Sequence, residues 1–534
     1  MSSAVSTAAA APERARRTEM RKVVFGASLG TVFEWYDFFI YGTLAGILGP
    51  LFFPKELGET GAFLAGIATY LVGLAIRPIG AVAFGRIGDR VGRKYTFLIT
   101  IVIMGVSTAL VGVLPTYASA GVMAPILLVA LRCIQGLALG GEYGGAAIYV
   151  AEHADPKGRG LATGWIQMTA TIGFFLSLLA VLGTEAATGS EAFRAWGWRI
   201  PFLLSLGLLA VSVYVRVQLE ESPVFLEMKA GGRTSDSPVK ESLTSGRNLK
   251  LMAIALFGLI AGTGIIWYTA QFYALIFLQK SVKLDLRTSY IIITCGLALA
   301  TPLFLVFGWL SDKIGRKPIA MAAMALAILT YIPIYKGLLH YGNPALERAV
   351  ASAPVVIRSD ECSIRFFSGP QNDCERVKDF LIAAGIPYGL ERGAVERVTT
   401  TIGTSSVEGF DPDALRAALA AANYPTSANL EEVNYPMLVL LIALLMSYVC
   451  MSYGTLAAYL VELFPARIRY TSLSLPYHIG LGYFGAFMLY FSTLISTTTG
   501  DIFSGLYYPL GIALVTLVVG VLFLPETKDR NIRD

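Results

Sequence analysis

Long apolar runs separated by short polar stretches make up most of this chain. The first apolar run, Val23 to Phe52, is about thirty residues long. A cleaved signal would need a small-residue site after a short apolar region, so this run is read as a retained span. Further runs lie near 61–84, 95–115, 121–150, 160–183 and 198–216. A polar segment from Glu220 to Lys250 follows, and a second set lies near 251–278, 287–310, 318–338, 436–461, 471–497 and 504–524. The pattern predicts an all-α membrane protein of twelve transmembrane helices, six plus six. Its parts are a tail over 1–22, a first bundle over 23–219 and a central loop over 220–250. The second bundle covers 251–338 and 435–525, split by a folded insert at 339–434, and ends in a tail at 526–534. In the insert, Asp373 to Ala384 and Asp411 to Ala422 read as helices, the latter capped by Asp411 with Pro412 in its first turn.

The two halves repeat each other. GRIGDRVGRK (Gly85 to Lys94) and GWLSDKIGRK (Gly308 to Lys317) agree at five of ten positions, each between two apolar runs. Glu152 is followed by Arg159 and Glu462 by Arg469, again just after a long apolar run. The first pair is offset by 223 positions and the second by 310, which fits a duplication carrying an insert late in its second half.

Composition agrees. With 55% hydrophobic and 15% charged residues among 534, the chain is too apolar for an ordinary soluble protein. The placement of Lys and Arg matters more than the net charge of +5. The N-terminus, both repeat loops, Lys157 to Arg159, Arg467 with Arg469, and Lys528 with Arg530 share one side. The positive-inside rule puts that side, with both termini and the central loop, in the cytoplasm and the insert outside. An oxidising exterior agrees with a Cys362–Cys374 disulfide, whereas Cys133, Cys295 and Cys450 read as packing residues within apolar helices.

Charge inside the apolar runs needs a reason. Glu34, Asp37, Arg77, Arg132 and Glu142 would each cost about 2.5–3.5 kcal/mol at a helix centre, so they must pair or line a cavity. At 1.5 Å per residue, Asp37 and Arg132 lie roughly 22 Å and 27 Å from the cytoplasmic ends of their helices, and Arg77 and Glu142 about 12 Å. Depth therefore pairs Asp37, with Glu34 beside it, with Arg132, and Arg77 with Glu142. Three carboxylates facing two guanidiniums leave one acid that relieves its burial by taking up a proton. Glu34, Asp37 and Tyr41 share a helix face, and Arg132 neighbours Gln135. Tyr268, Gln271, Tyr477 and His478 are the neutral candidates of the second half, and Gln167 resembles Gln271 as an intramembrane amide. Pro78 and Pro302 are expected to kink their helices, and Gly136, Gly140, Gly141, Gly144 and Gly145 to allow close helix approach.

The loop pattern Gly-x-x-x-Asp-Arg-x-Gly-Arg-Lys, its second copy and the twelve spans resemble the major facilitator superfamily. Phe33-Glu34-Trp35-Tyr36-Asp37-Phe38, Arg77-Pro78, Arg132 to Glu142, Glu462 to Arg467 and Pro525-Glu526-Thr527 are similar to its metabolite:proton symporter branch. Members of that branch carry α-ketoglutarate, citrate, shikimate, proline or betaine. The resemblance covers nearly all of the chain except the insert. It implies a midplane site between the halves, reached by alternating access, and proton coupling by Asp37 (with Glu34) and Arg132. Substrate contacts are expected from Arg77, Arg132, Gln135, Glu142, Tyr41, Gln167, Tyr268 and Gln271. A cytoplasmic gate is expected from Gly85, Asp89, Arg90, Gly92, Arg93, Glu152, Arg159, Asp312, Arg316, Glu462 and Arg469, with Asp89 set against the start of the eleventh span near Thr471.

The resulting expectation is a proton-coupled symporter of a small organic acid in the bacterial inner membrane. A zwitterionic osmolyte such as proline or betaine is the alternative, and a ligand sensor acting through the insert is a third reading. No Gly-x-x-x-x-Gly-Lys loop is present, and the chain has three histidines and no clustered cysteines. No enzyme activity, metal or cofactor is therefore expected, the proton gradient supplying the drive. The expected partners are the bilayer, a small metabolite and the proton, with no nucleic acid and a monomeric chain.

Overall fold

The computed structural model describes residues 28–91, 93–141, 143–217, 238–360, 362, 370–393, 397–465, 468–530 and 532; at 59, 60, 85–91, 93–97, 145, 149, 153, 156, 215, 216 and 238 it describes backbone only. Spans 1 to 6 are the helical stretches 28–52, Gly58–Val91, Arg93–Val113, Met123–Gly140 continued by Tyr143–His153, Arg159–Thr188, and Ser190–Gly197 with Arg199–Val217. Spans 7 to 12 are Gly246–Lys280, Leu286–Ile314, Arg316–Gly342, Tyr435–Leu463, Arg469–Thr499 and Ser504–Phe523. Among the described residues, nine helices are long and apolar enough to cross a bilayer alone, and the pair bent by 65° in span 6 makes a tenth if it is one span. The remaining two are span 1, which carries Glu34 and Asp37, and span 3, whose apolar part Leu98–Val113 is short.

Packing repeats as the sequence does. Span 2 packs on span 4 and span 3 on span 6; span 8 packs on span 10 and span 9 on span 12. Across the halves, span 5 meets span 8 and span 2 meets span 11, which is one contact and its symmetry mate. At the first of these, a Cβ on Gly308 would lie 2.6 Å from Gly160 O, so the two backbones touch.

Several boundaries differ from the sequence expectation. Span 7 starts at Gly246 rather than 251, because Ser245 accepts from Asn248 N and begins the helix earlier. Span 9 runs on to Gly342, so the insert starts at Asn343, whose side chain caps Pro344–Ser352. Pro238–Thr244 is helical within the central loop. Pro78 lies inside a continuous helix, whereas Pro302 is the cap residue at a break in span 8.

The insert contains a sheet that the apolar pattern did not reveal. Strands β1 (Val355–Ser359), β2 (Gly389–Arg392), β3 (Thr399–Ile402) and β4 (Ser405–Glu408) lie in the order β2-β1-β3-β4. β1 runs parallel to β2 with Ile357 opposite Leu390, and antiparallel to β3 with Ile357 opposite Thr400. Asp373–Ala383 crosses over between β1 and β2, and Pro412–Ala421 follows β4 with Asp411 accepting from Asp413 N and Ala414 N. Val355 and Ile357 are buried on the sheet, as are Val377 and Leu381 on the crossover helix. Cys362 and Cys374 form a disulfide that ties the segment after β1 to the first turn of that helix.

Candidate functional site

Spans 2 and 4 cross through glycines, and this brings two arginines together. A Cβ on Gly136 would overlap the Gly73 carbonyl, and one on Gly140 the Arg77 carbonyl. Arg77 and Arg132 thus face the first half's interior from adjoining helices, at 1% and 0% exposure. Arg132 Nη1 donates to Gln135 Oε1 at 2.5 Å, and Gln135 Nε2 donates to Thr108 Oγ1 at 2.9 Å. The Arg132 guanidinium lies over Phe38, Tyr41 and Tyr70, 4.6–5.1 Å from their centroids. That of Arg77 lies over Trp35 and Phe38 at 5.7 and 5.8 Å. Arg132 Nε and Nη2 and all three guanidinium nitrogens of Arg77 have no hydrogen-bond acceptor among the described residues.

The expected Asp37–Arg132 pair does not form. Asp37 is 5% exposed and its Oδ1 has no hydrogen-bond partner, but no ion pair joins it to either arginine. Depth matched the two residues, but rotation about the helix axis separated them. The side of span 1 turned to the arginines carries Trp35, Phe38 and Tyr41, with Asp37 beside that stripe. Desolvated guanidiniums rest on ring faces here instead of on a carboxylate. Glu34 is buried one turn before Asp37. Glu142, the expected partner of Arg77, lies outside the described residues.

The second half adds hydroxyl and amide groups. Tyr268 and Gln271 sit at a π-helical turn, Thr269–Tyr273, in span 7, a local widening common at functional sites. Gln271 is fully buried with both amide atoms unpartnered among the described residues. Tyr268 packs on Phe272, which packs on the Tyr70 ring beneath Arg132. Of the expected contacts, Gln135 and Tyr41 touch Arg132 directly, and Arg77 shares the Phe38 ring with it. Gln167 serves otherwise: it accepts from Tyr143 Oη at 3.0 Å and donates to Tyr453 O at 2.7 Å, joining the halves. Tyr143 stacks on Tyr477 with centroids 3.6 Å apart, and Tyr477 shares a 2.9 Å hydroxyl contact with Tyr453. Tyr70, Tyr143 and Tyr453 escaped the sequence reading, although a hydroxyl inside an apolar run was a signal that could have found them.

Below this layer, at the end bearing the repeat loops, the halves are locked by charge. The two Glu/Arg pairs cross over: Arg159 Nη1 meets Glu462 Oε1 at 2.8 Å, and Arg469 Nη1 meets Glu152 Oε1 at 3.1 Å. Glu462 also receives Arg316, at 3.1 and 3.3 Å, and Thr527 Oγ1 at 2.8 Å. Asp312 meets Arg316 at 2.8 Å and accepts from Gly160 N and Leu161 N at 2.8 and 2.9 Å. That carboxylate caps the start of span 5 from across the interface. Glu526 does the same for span 9, accepting from Arg316 N and Lys317 N at 3.0 Å. Burial raises the affinity of Glu526 for a proton, but its backbone N–H donors outweigh this and hold the carboxyl below its usual range. Gly92 and the side chains of Asp89, Arg90 and Arg93, with Gly85, lie outside what is described.

The opposite end, bearing the insert, is closed by rings. Phe39 stacks on Trp267 at 4.9 Å, Phe174 packs on Phe272 at 4.6 Å, and Tyr290 Oη donates to Thr43 O at 2.7 Å. The layer that carries Arg77 and Arg132 thus lies between contacts that join the halves at both ends.

Comparison with known proteins gives a consistent picture. Residues 23–255 match the family model described as "Sugar (and other) transporter". The inner membrane metabolite transport protein YhjE of Escherichia coli K12 is 36% identical over 333 residues, covering 61% of this chain and 74% of the relative. The shikimate transporter of the same strain is 36% identical over 325 residues, with shares of 60% and 72%. The proline/betaine transporter of Salmonella typhimurium is 36% identical over 332 residues, with shares of 59% and 65%. Among solved structures, the proton:xylose symporter XylE bound to 6-bromo-6-deoxy-D-glucose superposes with a TM-score of 0.64 at 15% identity. That match covers 97% of this chain and 98% of the other.

Proposed function

The chain belongs to the sugar (and other) transporter family of the major facilitator superfamily, and from that premise we propose that it couples uptake of a small carboxylate-bearing metabolite to the proton. It is a multi-pass membrane transporter of small metabolites and not an enzyme. The observation that carries the finer reading is the pair of buried guanidiniums with five nitrogens lacking acceptors among the described residues. Leaving such donors unmet costs free energy, and a carboxylate would meet several at once in bidentate geometry. Their aromatic neighbours are already covered by the guanidiniums, so those ring faces are not free to cage a cationic headgroup.

Organic acids, proline, betaine and shikimate all present a carboxylate, so one reader suits the main proposal and its zwitterionic alternative. The second group on the solute decides between them: Tyr268 and Gln271 suit a hydroxyl or second carboxylate, and ionised Asp37 suits an ammonium. The relatives that carry proline and betaine favour the zwitterion as strongly as the guanidiniums favour the acid. In the coupling proposal, Asp37 takes a proton while the centre faces the exterior. Its charge is then neutral during the crossing, and the proton is released once the loop end opens to the cytoplasm. Both termini are cytoplasmic in this reading and the insert is outside, with no cofactor and a monomeric chain.

Uptake of labelled carboxylates, betaine and proline into proteoliposomes, with and without an inward proton gradient, tests the reading. Gradient-driven accumulation that is lost in Asp37→Asn is the expected result. Accumulation that ignores the gradient, or survives the substitution, would remove Asp37 from the coupling role.

A further inference from the structure

The insert is joined to the two halves very unequally. To the second half it is fastened by several bonds. Lys283 Nζ donates to Pro425 O at 2.9 Å, and Ala428 N donates to Lys283 O at 3.1 Å. Tyr388 donates through its hydroxyl to Thr497 O at 2.7 Å and through its backbone N–H to Gly500 O at 3.1 Å. Gly385, at φ +62°, fits against the Lys280 carbonyl, where a Cβ would collide. Asn434 N donates to Tyr341 O at 2.9 Å and closes the second connection. Helix Asp373–Ala383 is held at its start by the disulfide and at its end by Gly385 and Tyr388, so it moves with span 7 and span 11.

Its contact with the first half is of another kind. The same helix packs on the start of span 2, where the Asp379 carboxylate lies against Gly58. Gly58 has φ +73°, and a Cβ there would come within 2.9 Å of Asp379 Oδ2. A carboxylate at the start of a 34-residue helix meets the partial positive charge of its unsatisfied N–H groups. At the opposite end of the molecule a carboxylate of the second half also lies at the start of a first-half helix, Asp312 there accepting from Gly160 N and Leu161 N of span 5. Between the insert and the bundle, a cavity of about 90 Å³ lined by Phe63, Phe277, Lys280, Ile386, Tyr388 and Thr497 has room for a few waters and not for a metabolite.

We propose that the insert is a lid carried by the second half, which closes the outer mouth by landing helix Asp373–Ala383 on the start of span 2. This rests on the alternating opening of the two halves proposed above. The Asp379–Gly58 contact then breaks in every cycle, while the bonds to spans 7 and 11 persist. Sealing is double: the lid lies outside, and the ring layer of Phe39, Phe174, Trp267 and Phe272 lies beneath it.

The test reads opening directly. Thr43→Cys places a thiol in the buried layer next to Tyr290, and a membrane-impermeant maleimide added from the insert side reports how often that end opens. Cross-linking Gly58→Cys to Asp379→Cys is expected to suppress labelling at least tenfold. Phe63→Cys with Ala383→Cys, joined by a short thiol cross-linker, serves as a second pair that leaves the Gly58 backbone alone. A link from lid to second half, Lys283→Cys with Ala428→Cys, is expected to leave labelling unchanged. Asp379→Ala is expected to speed it about two- to fivefold, the value of one charge at a helix start. Labelling at the unlinked rate with either lid-to-span-2 link complete would overturn the proposal. Uptake recorded on the same samples judges the transport reading separately, since labelling decides the lid whether or not a given solute is carried.

Discussion

Two sets of buried arginines occupy one scaffold under opposite conditions. At the loop end, Arg159 and Arg316 converge on Glu462, and Arg469 meets Glu152, so each guanidinium finds a carboxylate. At the centre, Arg77 and Arg132 are as deeply buried yet find rings and one amide, with five nitrogens unmet among the described residues. The first set closes its account within the protein and holds the halves together. The second leaves donors unmet among the described residues, which is what supports its proposed role as a carboxylate reader. Burial alone does not separate the two sets; the presence of an acceptor does.

The comparison can be broken most forcefully at Glu462. Glu462→Gln keeps the shape but leaves Arg159 without a carboxylate and Arg316 with Asp312 alone, and is expected to lower stability by about 3–5 kcal/mol, read as a fall in the midpoint of thermal unfolding. At the centre the sign reverses. Arg77→Met removes a guanidinium without acceptors and is expected to raise the stability of the unliganded protein by about 1–3 kcal/mol. A loss of similar size would mean that Arg77 is structural.

Two smaller effects sharpen the account. Burial lowers the Lys283 amine from 10.5 to about 8. Between those values the unfolded chain binds more protons than the folded one, so stability is expected to rise with pH across that window. The rise is about 1–2 kcal/mol, and Lys283→Met should flatten it in a pH series of unfolding midpoints. The Glu152–Arg469 pair is expected to show a coupling of about 0.5–1 kcal/mol in a double-mutant cycle, with the Arg159–Glu462 pair coupling more strongly.

Much of this was legible in the chain because the bilayer imposes a simple rule. Apolar runs became spans, Asp411 became a cap, and the twin Glu/Arg pairs marked corresponding places in the two halves. What the pattern lacked was rotation and crossing. Helical rise put Asp37 and Arg132 at matching depth but could not show that Arg132 rests on the rings of Phe38 and Tyr41 instead. The twin pairs marked the duplication without naming partners, and only the fold shows that Arg159 reaches Glu462. The strands of the insert are four or five residues long, and β3 (TTTI) and β4 (SSVE) are polar-rich, so they are too short for alternation to register. Gln167 looked like a substrate contact because an intramembrane amide demands partners; it has them in Tyr143 and Tyr453.

The central claim is that Arg77 and Arg132 await a carboxylate. Calorimetric binding of a transported carboxylate to purified protein, set against its carboxamide analogue and repeated in Arg77→Met, tests it most directly. The account predicts that the carboxamide and the variant each lose about tenfold to a hundredfold in affinity, the value of a charge-assisted hydrogen bond, while the variant unfolds no earlier than the native chain. Equal binding of acid and amide, or undiminished binding by a folded variant, would contradict it.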